Sequence, residues 1–128
     1  GLYSPVQASS RIYSSQDIER WHINEMKSLL SRFSGVKFIF DNVKQKYYPV
    51  LRDAITSFRS KNEGKPLVVI DDTPFIDFDI LDYPVNDIEE IFLLKGSDAA
   101  IWGPKASNGI IVIITQRGKS TKIEQKEE

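Results

Sequence analysis

The run Ile110-Ile111-Val112-Ile113-Ile114-Thr115 narrows the possible folds of this chain more than any other feature. Every residue in it is β-branched, and β-branched side chains favour an extended backbone on a pleated surface. Asn108-Gly109 just before it is a turn signal, so the run reads as a strand entered from a tight turn. Counted from Gly109 it is the longest apolar stretch in the chain, yet it falls far short of the roughly 20 residues a membrane-crossing helix needs. Leu67-Val68-Val69-Ile70 has the look of a buried strand. Asp87 to Lys95, carrying Ile88, Ile91, Phe92, Leu93 and Leu94, reads as another, entered through a turn at Pro84-Val85-Asn86.

The rest of the chain supplies partners for these strands. Ser14-Ser15-Gln16-Asp17 reads as a helix start, in which Ser14 accepts from the Asp17 amide and the Asp17 carboxylate returns the bond. Ile18, Trp21, Met26, Leu29, Leu30 and Phe33 follow at spacings of three and four. A break near Ile23-Asn24, where Asn24 can cap a second piece, predicts two consecutive helical segments ending at Gly35, with their apolar stripe facing a sheet. Val36 to Phe40 reads as a short strand. Residues 41–65 admit two readings: an edge strand over Tyr47-Tyr48-Pro49-Val50-Leu51, or a helix over Val50 to Phe58 with Leu51, Ala54, Ile55 and Phe58 at helical spacing. Lys61 to Pro66 is a loop by composition. Asp71-Asp72-Thr73-Pro74 is a turn in which an Asp can adopt the left-handed region, and Phe75 to Asp82 is a strand or an irregular segment. Ser97 to Trp102 predicts one short helical turn, started by Ser97 and ended by Gly103-Pro104. The expected fold is a small α+β domain, a mixed β-sheet with short helices packed on it.

Composition agrees. With 128 residues, 41% hydrophobic and 27% charged, the chain suits one globular domain with an ordinary core. It has no cysteine, which removes disulfides, thiolate metal sites and cysteine nucleophiles together. The opening carries no basic-plus-apolar leader pattern. Residues 1–13 are expected to be an N-terminal extension, 14–118 the folded domain, and 119–128 a charged tail or linker.

The net charge of −1 hides a segregation along the sequence. Residues 27–65 are predominantly basic, from Lys27 through Lys44, Lys46 and Arg52 to Lys65. Residues 71–90 hold Asp71, Asp72, Asp77, Asp79, Asp82, Asp87, Glu89 and Glu90 and no base. On different faces these blocks would make the domain an electrostatic dipole; otherwise they are ordinary solvated surface.

Residues that would carry chemistry are scarce. His22 is the sole histidine and sits beside Trp21 in a stripe that packing explains, so it is expected to be structural and not a catalytic base. Gly118-Lys119-Ser120 imitates the end of a phosphate loop, but the glycine that motif needs five positions earlier is Ile113. Asp77, Asp79 and Asp82 offer oxygen ligands without the turn glycine or distal glutamate of a calcium loop. Tyr47, Tyr48, Phe75, Phe78 and Tyr83 can pack or form a carbohydrate platform. The basic block lacks a nucleic-acid module. Catalytic residues, metal and cofactor are all expected to be absent, and a binding or structural module is the expected class.

Several short motifs then occur in a fixed order: Pro-Leu-Val-Val-Ile-Asp-Asp-Thr-Pro from Pro66, Val85-Asn86-Asp87-Ile88-Glu89-Glu90-Ile91, Leu94-Lys95-Gly96-Ser97-Asp98-Ala99-Ala100-Ile101-Trp102-Gly103, and Ala106-Ser107-Asn108-Gly109-Ile110 through Thr115. Together they resemble the plug domain of TonB-dependent outer-membrane receptors, particularly the SusC-like branch of Bacteroides-type bacteria, with its "PLxVIDGxP", "NDIExIxVLKG", "AAxYG" and "ANGVIxITTKxG". The opening Ser14 to Arg20 and Leu29 to Val36 resemble that family's "DIE…LLxxxPGV" entry. The resemblance runs from about Ser14 to Gly118 and is strongest over residues 66–118.

The resemblance implies a gating plug, periplasm-facing within the lumen of an outer-membrane β-barrel and remodelled when TonB pulls on it. Its implied partners are the barrel of the same or parent protein, the TonB energy-coupling protein, a glycan or other nutrient, and a surface lipoprotein. Arg52 and Lys95 would be the two basic residues that pair with barrel-wall carboxylates; placing Arg52 in the family's "IRG" element also favours the strand reading of residues 48–52. Asp71, Gly96, Gly103, Asn108 and Gly109 occupy family-motif structural positions. Two departures stand out: Asp53 replaces the Gly of "IRG" and Asp72 the Gly of "IDG". No TonB-box segment is evident before Ser14. The chain is too short to hold a barrel beside the plug, which leaves a plug-like periplasmic interaction module of a larger, barrel-less protein as the alternative.

Overall fold

A computed structural model describes residues 9–51 and 64–118. In chain order the elements are β1 (Tyr13–Ser14), α1 (Ser15–Arg20), α2 (Met26–Leu30), β2 (Val36–Asp41), β3 (Lys46–Leu51), β4 (Leu67–Ile70), β5 (Thr73–Phe75), β6 (Ile88–Leu94) and β7 (Ile110–Thr115), with single 3-10 turns between some of them. Five strands form one sheet in the order β1-β6-β7-β4-β5, and β2 and β3 form a separate antiparallel pair. The pairing of β7 with β4 is parallel and every other pairing is antiparallel, so the sheet is mixed as expected.

The apolar run predicted as a strand is β7, and all six of its residues are buried. The reason is its central place with cover on both faces. Ile111 and Ile113 point into a core shared with Val68, Ile88, Ile91 and Leu93 and closed by Ile18, Met26, Leu29, Leu30 and Phe33 of the helical layer. Ile110, Val112 and Ile114 point the other way, to Leu67, Val69, Phe92 and Leu94 under Ala99, Trp102 and Ala106. A strand of period two buried on both faces must be apolar at every position, and such strands read as continuous hydrophobic runs. Strand β6 repeats the pattern with one irregularity. Ile88 and Ile91 share a face although three residues apart, because the register shifts between Ile88 and Glu90, and that extra residue restores the alternation.

The helical layer begins as predicted. Ser14 caps α1, accepting from the Asp17 amide while the Asp17 carboxylate accepts from the Ser14 amide. Tyr13 then ties the layer together: its ring lies edge-on to Trp21 at 5.6 Å and tilted against Phe33 at 4.7 Å, and its hydroxyl donates to the Arg32 carbonyl at 2.9 Å. Gly35 ends the layer with φ +83°. The second helix departs from expectation. Its N-cap is Glu25, with no side-chain capping bond, and Asn24 is exposed.

Two open readings are decided and one expectation changes. Residues 46–51 are the strand β3, and Pro49 is tolerated because a two-stranded ribbon consists of edges; the competing helix lies mostly in residues 52–63, outside the described residues. Of the two readings of Phe75 to Asp82 the irregular one holds: β5 is Thr73–Phe75, since Asp71 and Asp72 both take positive φ (47° and 69°) and make a two-residue hairpin turn from β4, and the chain beyond it is turn and a 3-10 turn at Ile80–Asp82. The helical turn expected at Ser97 is a series of three 3-10 turns, Gly96–Asp98, Ala100–Trp102 and Pro104–Ala106, none with a side-chain cap. Gly103, at φ 80° and ψ −166°, separates the last two in a conformation only glycine adopts readily.

Candidate functional site

The motif residues singled out in the sequence gather at the ends of the central strands. Asp71 leaves β4 and turns back on the end of β7, its carboxylate accepting from the Thr115 amide at 3.0 Å and from the Thr115 hydroxyl. The Gly118 amide donates to that same hydroxyl at 3.0 Å, and a Cβ on Gly118 would collide with the Asp71 carboxylate. The β4–β5 turn and the exit of β7 are therefore one hydrogen-bonded knot, in which a side chain at 118 would push the Asp71 carboxylate aside.

At the opposite strand ends, Asn108 and Gly109 lead into β7. Asn108 is buried and its Nδ2 donates to the Lys65 carbonyl at 3.3 Å. Gly109 has φ +88°, and its carbonyl accepts from the Leu67 amide at 3.0 Å, which sets the start of the parallel β4–β7 pair. Lys95 follows β6 and is half-buried. Its amide donates to Ser9 Oγ at 2.9 Å, and the Ser9 hydroxyl lies 2.6 Å from Asp98 Oδ2. Gly96, at φ +55°, then turns the chain into the first 3-10 turn. Arg52 lies outside the described residues.

Part of each charge block meets the other in one cluster. Lys65 bonds Asp41 at 3.0 Å and Asp77 at 2.9 Å, Lys44 bonds Asp77 at 3.1 Å and Asp79 at 3.3 Å, and Lys46 bonds Asp82 at 2.7 Å and Asp79 at 3.6 Å. The electrostatic dipole is thus cancelled locally where these lysines are concerned, and the aspartates considered for a calcium loop are neutralised by ammonium groups. Among the described residues no cluster suits a metal ion. The ionisation follows the contacts. The Lys44 amide and then the Lys65 ammonium hold Asp41 below the usual carboxylate range, and Lys65 does the same for Asp77. Lys44 is raised chiefly by Asp77 and Lys46 chiefly by Asp82. At Lys65, burial pulls the ammonium down, but bonds to Asp77 and Asp41 outweigh it and the net shift is upward. Sequence reasoning saw both blocks and missed the cluster, because only the hairpin brings residues 41–46 beside residues 77–82.

His22 is exposed, at φ +54° just after α1. It lines a cleft of about 490 Å³ with Ser15, Glu19, Asn24, Asn86 and Gln116. Ser15 in that cleft donates to Glu89 at 3.3 Å, and no hydrogen bond joins it to His22 among the described residues. Tyr83 donates to Asp87, and burial followed by that carboxylate pushes its phenol well up.

The profile described as TonB-dependent Receptor Plug Domain matches residues 4–110, most of the chain. The chain belongs to this family of plug domains. TonB-dependent receptors are outer-membrane transport proteins, not enzymes, and the plug fold is shared with solved members. A ferric enterobactin receptor from Pseudomonas aeruginosa, solved with enterobactin, matches with a TM-score of 0.63 at 19% identity, over 85% of this chain and 18% of that one. The siderophore receptor PirA from Acinetobacter baumannii gives 0.65 at 20% identity, over 88% and 18%. FpvA of P. aeruginosa, bound to a pyoverdine, gives 0.56 at 12% identity, over 86% and 14%. The plug therefore spans under a fifth of the length of these receptors, and at such identities the likeness is one of fold. No described helix is long and apolar enough to cross a membrane.

Proposed function

We propose that this plug gates a TonB-dependent nutrient transporter, closing the lumen of an outer-membrane barrel and responding to substrate and to TonB. The family match over residues 4–110 carries the reading. Gating of this kind is conformational: substrate and TonB act only through their differential affinity for closed and displaced plug. Arg52 and Lys95 are proposed to pair with barrel-wall carboxylates. Asp71, Gly96, Gly103, Asn108 and Gly109 are proposed as the positions that hold the motif loops in shape. Their order and the wording of the motifs favour the SusC-like branch, with a glycan or other nutrient as cargo and a surface lipoprotein as partner.

The test uses the full-length receptor reconstituted in planar bilayers. Arg52→Ala and Lys95→Ala are expected to raise basal conductance by loosening the closed plug, and unchanged conductance in both would overturn the pairing. Fractionation separates the transporter from a barrel-less periplasmic protein: resistance to alkaline extraction supports an integral barrel, and release into the soluble fraction overturns it.

A further inference from the structure

The β2–β3 hairpin is held by different forces at its two ends. Its proximal end is apolar: Val50 and Leu51 are buried, and Val36 and Phe38 pack against the core beneath the helices. Its distal end is not. Ile39, Phe40, Val43 and Tyr47 are exposed, with Val43 at 93%. The hold there is dominated by the lysine–aspartate cluster, supplemented by Lys27 of α2 lying over the Tyr47 ring at 4.8 Å. Lys65 is the most enclosed cation of the set, with 16% of its side chain exposed, and it touches two strands and a loop at once. It bonds Asp41 of β2 and Asp77 beyond β5, and its ammonium lies 4.9 Å from the ring of Tyr48 in β3.

We propose that the hairpin is a hinged arm of the plug, clasped at its distal end by this ion cluster with Lys65 as the central contact. It opens on its apolar base while the five-stranded sheet stays intact. The physical reason is a difference in the kind of force. Exposed ion pairs are individually weak, and salt screens them, the Debye length falling from about 10 Å at 0.1 M to about 3 Å at 1 M. Apolar burial is not screened; excluded salts strengthen it. The two halves of the hairpin therefore respond oppositely to ionic strength. Gln45 and Asp77 both hold positive φ (57° and 56°) and mark the points where the two facing loops turn. Opening would separate four aspartates from three lysines, a change that any charged neighbour of the plug can bias.

The chain has no cysteine, so pairs of spin labels can be placed cleanly. Labels at Val43→Cys and Ser107→Cys report the arm against the body, and labels at Glu19→Cys and Ser107→Cys report the body alone. Pulsed electron–electron resonance on the 128-residue chain at low salt is expected to give one distance population for each pair. At high sodium chloride a second, longer population appears for the arm pair only. Lys65→Met produces that population already at low salt, whereas Lys105→Met, an exposed lysine outside the cluster, does not. An arm distance unchanged by both salt and Lys65→Met overturns the proposal, and so does a body distance that shifts along with it.

Discussion

The five-stranded sheet and the β2–β3 hairpin lie in one domain, yet they are stabilised in different ways. In the sheet, β7 is covered on both faces, and its residues are apolar without exception. In the hairpin, no residue of β2 is fully buried, and charged and aromatic side chains do much of the holding. The sheet is not weakened by charge screening because its stability comes from area removed from water. The hairpin is adjustable because its distal contacts come from charges that solvent can replace. The gating proposed for this plug, which keeps its fold while being remodelled, draws on both.

Substitutions sharpen this contrast, beginning with the largest effect. Ile113→Ala removes a fully buried side chain between β6 and β4 and is expected to cost about 3–4 kcal/mol in urea denaturation, whereas Val43→Ala at the hairpin tip changes stability by less than about 0.5 kcal/mol. Equal effects would mean that the hairpin tip is packed in solution. Asp71→Ala breaks both bonds to Thr115 and is expected to cost about 2 kcal/mol, with faster amide exchange at Thr115.

Lys65→Met comes next, with a lowered urea midpoint expected because Asp41 and Asp77 lose the cation they share. Its diagnostic is pH. Asp41 and Asp77 have folded-state values below their unfolded ones, so their contribution is present above the ordinary carboxylate value of about 3.9 and is lost as pH falls through the lowered values. Lys44, Lys46 and Lys65 are raised, so theirs is lost only as pH rises past the ordinary lysine value of about 10.4. The cluster's contribution is thus flat between those limits, and Lys65→Met should shallow the acid limb of the urea midpoint against pH. The smallest effect is expected from Gln45→Gly, a gain of about 0.5 kcal/mol from relieving a left-handed glutamine in the hairpin turn.

Much of the sheet was legible in the residues. The β-branched run at 110–115, the apolar run at 67–70 and the Ser14–Asp17 capping box each carry a local physical signal, and each appears where it was read. The misreadings have local causes as well. Ser97 looks like a cap, but the positive-φ glycines at 96 and 103 break the segment into 3-10 turns. Asp71-Asp72 makes a two-residue hairpin although two consecutive left-handed aspartates are unfavourable, because the pairing of β4 with β5 and the bonds from Thr115 hold Asp71 there. Of the motif residues, the glycines at 96, 103 and 109 all hold positive φ, a conformation their type alone suggests. The role of Asp71 depended on Thr115, forty-four positions away.

By itself the sequence determined the central strands, the capped first helix and where the family's motifs stand, because propensity, capping and hydrophobic period are local properties. Only the tertiary structure decided that two charge blocks, separate along the chain, meet as a clasp. Coulombic contact depends on distance in space, and residues 41–46 reach residues 77–82 only once the hairpin has folded back over the loop beyond β5.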